Sequence, residues 1–234
     1  MPVDTLTYAL DNPIWNSLIT HRSNFALGGD LARRFLPEIG PLAGMIDQSP
    51  EAYAELGTLF TPDQIAILFL ESAPQLPAGW RMRRHIEGIQ MVCAEASEQL
   101  TSSFAIEPLG EADVPEMLEL TALTEPGPFA VRTIELGDFI GIREDGRLAA
   151  MAGERLAMPG YMEVSAVCTH PDFRGRGYAR ALVSAVKQKI RARGETPILH
   201  TFAANSGAIR VYEALGFVLR RSFDVAAISP PLQA

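Results

Sequence analysis

Arg174, Gly175, Arg176, Gly177, Tyr178 and Ala179 stand between an apolar stretch, Val167-Cys168-Thr169, and an amphipathic one that begins at Tyr178. Pro171 makes a sharp turn ahead of the loop. Glycines let a ligand approach the backbone, and the first turn of a following helix offers unpaired N–H groups. Those donors and the positive end of the helix dipole favour an anion, most often a phosphate. Arg174 and Arg176 add positive charge, so the segment reads as a cradle for a diphosphate. A P-loop would need Lys-Ser or Lys-Thr after Gly177, and none follows. A dinucleotide fingerprint would need a glycine where Arg180 stands and an acid closing the strand candidate Ile198 to Phe202.

A second pattern lies downstream, in Asn205-Ser206-Gly207-Ala208-Ile209-Arg210-Val211-Tyr212-Glu213-Ala214-Leu215-Gly216-Phe217. Asn205 can cap a helix whose Ala208, Val211, Tyr212 and Leu215 share one face, and Gly216 can end it. R-x-x-G-x-A at Arg174, Gly177 and Ala179 resembles the coenzyme-A loop of the GNAT acetyltransferase superfamily. The later segment resembles that superfamily's N-x-x-A-x-x-x-Y-x-x-x-G-F. The likeness extends to a branch similar to glycine N-acyltransferase-like proteins, carried by Pro126-Gly127-Pro128-Phe129, Ala150 to Arg155, Glu163 to Pro171 and Arg220-Arg221. It covers residues 104 to 225 strongly and the first hundred loosely.

The resemblance implies acetyl-CoA as cosubstrate, with Val167, Cys168, Thr169, Arg174, Gly175, Arg176, Gly177, Tyr178, Ala179 and Asn205 binding it. It also implies that the strand Val167 to Thr169 splays from its neighbour, freeing backbone groups for the pantetheine arm and the Val167 N–H for the thioester oxygen. Acyl transfer to an amine must deprotonate the amine, stabilise an oxyanion and protonate the leaving thiolate. Tyr212, a phenol protonated at neutral pH, is the expected general acid. His200 is a candidate base or a satisfied structural histidine; Glu163 and Glu154 are the other candidates, and Glu154 with Phe129 is expected to meet the acceptor. Ser165 and Ser206 lack a His/Asp partner set, so direct transfer is expected. Four histidines and two cysteines show no metal-ligand spacing, and no metal is expected.

The elements that must position these residues follow from periodicity and turn signals. The expected class is α/β: a mixed sheet with helices on its faces, in a GNAT-type fold preceded by a further α/β region. Strands are expected at Phe104 to Pro108, Phe139 to Arg143, Leu148 to Leu156, Tyr161 to Thr169, 198–203 and 217–225. Helices are expected at Asp113 to Thr124, 177–192 and 206–215. Asp145-Gly146 marks a hairpin. Earlier, Ala52 to Phe60 reads as a helix. Ile65 to Leu70 is either a helix capped by Thr61-Pro62-Asp63-Gln64 or a buried strand; strand is favoured, with Arg84 to Cys93 as a hairpin-like partner. Residues 97 to 103 read as a linker between residues 1–100, structural or acceptor-shaping, and a catalytic domain at 104–234.

Composition bounds the rest. The net charge of −8 over 234 residues argues against a general nucleic-acid or anionic-membrane binder. Cys93 and Cys168 read as buried reduced thiols. No apolar run approaches the roughly 18 residues of a membrane span, and no signal peptide is legible, so a cytoplasmic location is expected. The reading is an N-acetyltransferase acting on a primary amine of a small molecule or amino acid. A protein or peptide N-acetyltransferase is the near alternative, and a non-catalytic acyl-CoA-binding regulator the distant one. Acceptor selection is expected in Glu125 to Glu135 and in the first hundred residues.

Overall fold

The computed structural model describes residues 7–93 and 103–231. Its first fifty residues contain elements the periodicity did not announce. These are helix α1 (Pro13–Ile19) and a three-stranded antiparallel sheet of β1 (Ala26–Gly28), β2 (Ala32–Phe35) and β3 (Ala43–Met45). Helix α2 (Pro50–Thr58) starts with Pro50 in its first turn and with Ser49 accepting a hydrogen bond from the Ala52 N–H at 3.3 Å, as a cap should.

The remaining strands form one eight-stranded sheet. In chain order they are β4 (Ala66–Leu70), β5 (Arg81–Cys93), β6 (Glu107–Leu109), β7 (Phe139–Glu144), β8 (Arg147–Met158), β9 (Tyr161–Thr169), β10 (Thr196–Phe202) and β11 (Phe217–Ser229). In space the order is β4-β11-β5-β10-β9-β8-β7-β6. The mixed α/β architecture matches the expectation, and strands from the first hundred residues share the sheet with those that follow.

Three local expectations change. The segment at Ile65 to Leu70 is a strand; Gln64 Oε1 does accept from the Thr61 N–H at 3.1 Å, but this box closes a single turn before the chain extends. β4 is not the hairpin partner of β5, because β11 lies between them. β11 alone matches the length of β5, pairing from Phe217↔Cys93 to Ser229↔Arg81, so β4 takes the other edge of β11. The strand read at Phe104 to Pro108 reduces to Glu107–Leu109, where it pairs with β7. The expected linker falls outside the described residues except for Ser103.

Helix α4 (Tyr178–Ala192) buries Leu182, Val183, Val186 and Ile190, the stripe its 3.6-residue period provides. With α5 (Ser206–Ala214) it packs on Ile140, Ile142, Ala150, Ala152 and Val164. Helix α2 covers the same face further along, over Leu68, Ala226 and Ile228. Helix α3 (Val114–Thr124) covers the opposite face, through Met117 and Leu120 on Phe139 and Met151. α1 lies on that second face too, over Leu156 and Ile198. Between α1 and α3 the sheet face is only partly covered. The cleft opens in that gap and reaches residues of α4 and α5 on the other face.

Candidate active site

Strands β9 and β10 begin as parallel neighbours and then part. They pair only at Thr196↔Tyr161, Pro197↔Met162 and Ile198↔Glu163, although β9 continues to Thr169 and β10 to Phe202. β5 holds the far edge of β10 from Ile198↔Val92 to Phe202↔Gly88. β8 holds the far edge of β9, where the register steps from Met151↔Cys168 to Gly153↔Ser165 and so admits one extra residue. Ala166 takes the strain at φ +51°, in the left-handed region. The β10-facing edge of Val164 to Thr169 therefore has no strand partner and lines a cleft of about 840 Å³.

Beyond β9 the chain makes a short turn at Pro171–Phe173, with His170 Nδ1 accepting from the Asp172 N–H at 3.2 Å. Gly175 and Gly177 hold φ of +79° and +89°, which a Cβ would strain. The first intrahelical bond of α4 is Ala181 N–H to Gly177 O at 3.1 Å, leaving the N–H groups of Tyr178, Ala179 and Arg180 without helical acceptors. Arg174 and Arg180 line the cleft beside them. Arg180, noticed in the sequence only as a missing glycine, is thus a cleft cation. Arg176 turns instead towards Glu144, 3.9 Å away, and over the Phe173 ring. The Tyr178 side chain is buried against Phe104 and bonded to Glu144.

Asn205 caps α5, its Oδ1 accepting from the Ala208 N–H at 3.2 Å, and lines the cleft as well. Two turns on, Tyr212 is 8% exposed and lines the same cleft. Burial pushes its phenol up to about 12. Cys168 lines the cleft too, but its thiol is buried and pushed up to about 11 by desolvation, which suits packing rather than nucleophilic attack.

Deep in the fork lies a chain of polar side chains that crosses five neighbouring strands. Arg155 on β8 makes a bidentate pair with Glu163 on β9, at 2.8 and 2.7 Å. Glu163 also accepts from the Leu156 N–H at 3.1 Å and meets His200 Nδ1 on β10 at 2.7 Å. Gln90 Nε2 on β5 lies 2.9 Å from His200 Nε2, and Arg220 on β11 donates to Gln90 Oε1 at 3.0 Å. Gln90 Nε2 must donate, so the network assigns His200 a neutral ring with its proton on Nδ1. Burial alone would raise the Glu163 carboxyl, but the Arg155 charge and the hydrogen bonds outweigh it and hold it far below the usual carboxylate range. Glu163 is thus a fixed anion with both oxygens engaged.

Glu154 falls elsewhere, whereas Phe129 lines a groove that adjoins the cleft. Glu154 lies on the α4 face, paired with Arg193 at 2.6 Å, and does not reach the cleft. Strand alternation puts its neighbour Arg155 on the opposite face, where it lines the cleft. Phe129 packs edge-on against Phe139 at 5.7 Å and lines an adjoining groove, while Pro126, Gly127 and Pro128 line the cleft itself. Gln90, Arg155, Phe69 and Phe223 were not foreseen. Among the described residues no group of three His, Cys, Asp or Glu side chains is placed to hold a metal ion, and no helix is long and apolar enough to cross a membrane.

A family model described as FR47-like protein matches residues 139–224, the stretch from β7 to β11 that builds the fork and the loop. The chain is 42% identical to a protein of known structure from Novosphingobium aromaticivorans DSM 12444, described as an acetyltransferase from the GNAT family. The alignment covers 94% of this chain and 98% of that one, at a TM-score of 0.88. A GCN5-related N-acetyltransferase-like protein from Streptococcus suis shares the fold at TM-score 0.63, covering 96% of this chain and 97% of its own, with 16% identity. An acetyltransferase from Yersinia enterocolitica is 46% identical over 50 residues, which is 20% of this chain and 35% of that protein. The matched segment thus spans about a third of the length of such curated relatives.

Proposed function

The chain belongs to the GNAT family of acetyltransferases, and we propose that it moves an acetyl group from acetyl-CoA directly to a primary amine of a small molecule. The observation that carries this reading is the convergence of three features on one cleft. These are the unpaired edge of β9, the glycine loop at the N-terminus of α4, and the Tyr212 hydroxyl.

The residues fit the coenzyme. Backbone N–H groups from Gly175 to Arg180, with Arg174 and Arg180, would take the diphosphate. The free edge of Val164 to Thr169 would pair with the amide-bearing arm as an added strand would. When bound, acetyl-CoA supplies an activated acyl carbon.

The chain's own groups do the rest. The Val167 N–H stabilises negative charge on the carbonyl oxygen, a role worth about 3 kcal/mol where one such donor has been removed from other acyl-transfer sites. The amine nitrogen forms a bond to the acyl carbon as the carbon–sulfur bond breaks. Tyr212, kept protonated at neutral pH by burial, offers its proton to the departing sulfur and regains one from solvent. Both nitrogens of His200 and both oxygens of Glu163 are engaged, so the proton on the acceptor nitrogen leaves to water. Gln90, His200 and Glu163 hold the floor of the fork in place.

Acceptor choice falls to the loop Glu125–Pro128 and to Ile67 and Phe69, which line the same cleft from outside the coenzyme motifs. The test is thiol release from acetyl-CoA against a panel of amines and peptides. Turnover with any amine supports the enzyme; tight coenzyme binding without turnover against the whole panel would leave a binding protein instead.

A further inference from the structure

The half of the cleft away from the glycine loop has an apolar floor. Register places Phe69, Val225 and Ile86 side by side across β4, β11 and β5, and Phe223 and Phe202 flank Gly88 one step nearer His200. A Cβ at Gly88 would lie 2.5 Å from the Phe223 ring, so the glycine leaves that ring its place against the strand. This floor continues out of the main cleft into an adjoining groove of about 610 Å³, which shares Ile67, Gly127, Pro128, Phe202 and Val225 with it. Leu118 and Phe129 form its far wall.

Polar groups are scarce along this path. The Thr121 hydroxyl proton is spent on the Met117 and Leu118 carbonyls, at 2.9 and 3.0 Å. Glu125 stands at the junction, and Arg84 at the outer end. Arg84 is exposed, has no ion pair among the described residues, and lies over the Phe202 ring at 5.9 Å. It sits six residues along β5 from Gln90, the partner of His200, which is about 20 Å of strand.

We propose that the acceptor is a small-molecule amine with an extended apolar body that lies on this floor, and that Arg84 favours an anionic group at the body's far end. This rests on the transferase reading above. A peptide acceptor fits less well, because the floor is made of apolar side chains and would leave peptide N–H and C=O groups unpaired. A hydrocarbon or aryl body asks for no such partners.

The experiment compares kcat/KM at saturating acetyl-CoA for n-alkylamines from butyl to dodecyl, for ω-amino acids of matched length, and for apolar tetrapeptides. The expected result is a rise of roughly two-fold per methylene, half the full burial value because one side stays open. A carboxylate should help only the longest chains. Ile86→Ser should flatten the length series, and Arg84→Ala, at an exposed position, should equalise long ω-amino acids and alkylamines. Rates independent of chain length, or peptides turned over better than long amines, would overturn the proposal while leaving the transferase standing. Absence of thiol release with every acceptor would overturn both.

Discussion

His200 Nδ1 lies 2.7 Å from Glu163 Oε1, and the two residues sit where β9 and β10 stop pairing. The contact ties the strands together at the base of the fork, so the free edge of β9 begins from a fixed point. Arg155 on one side and Gln90 on the other extend the tie across the sheet.

Replacing Glu163 with Gln would leave the buried Arg155 guanidinium without its counter-charge. Breaking one partner of such a pair typically costs about 3–5 kcal/mol. A folded-state carboxyl held below its unfolded value contributes stability that is complete above the ordinary carboxylate range and lost as pH falls through and below it. Urea midpoints measured from pH 7 down to pH 3 should therefore fall less steeply below about pH 5 in Glu163→Gln than in the wild type. Parallel curves would mean that the pair does not hold the fork.

Gln90→Glu would present a second carboxylate to His200. The expected outcome is an imidazolium, with both ring nitrogens protonated at neutral pH, where the wild type carries one proton on Nδ1. Nitrogen-15 spectra of the ring distinguish the two. A wild-type ring already doubly protonated at pH 7 would contradict the network.

Tyr212→Phe keeps the ring among its neighbours and removes the transferable proton. A loss in kcat on the order of 10²-fold is expected, with acetyl-CoA affinity little changed. In the wild type, kcat/KM should rise with pH through the acceptor amine's own pKa. No falling limb from Tyr212 should follow below about pH 10, because its phenol ionises only near 12. A rising limb near neutrality that stays put when the amine is changed would return the base role to His200.

Gly177→Asp places a charge and a strained φ of +89° at the start of α4, in space where a Cβ meets nothing within 4 Å. Coenzyme affinity should fall at least ten-fold, roughly 1.4 kcal/mol, by calorimetry. Gly177→Ala shares the strain without the charge and should lose less. Equal losses would mean that backbone shape alone, not the anion site, sets affinity.

Much of this was legible because its determinants are local. The glycine loop, α4, α5 and the β7–β8 hairpin lie within short runs whose spacing reports their structure, and the family followed from the same segments. The narrower likeness to glycine N-acyltransferase-like proteins rests on sequence resemblance alone. The polar chain could not be read this way. Gln90 meets residues 110 and 130 positions away, and no periodicity in β5 marks it out. β11 entering between β4 and β5 is equally non-local. Glu154 and Arg155 are neighbours that face opposite sides of the sheet, so naming the acid alone missed the side chain that enters the cleft.

Direct transfer is the central claim, and intact-mass measurement tests it with least inference. Protein mixed with acetyl-CoA alone should keep its mass, since Cys93 and Cys168 are both buried. Adding a long-chain primary amine should release one thiol for each acetylated amine formed, with the protein still unmodified. An acetyl group that accumulates on the protein before the amine is added, and is then passed to it, would contradict the account.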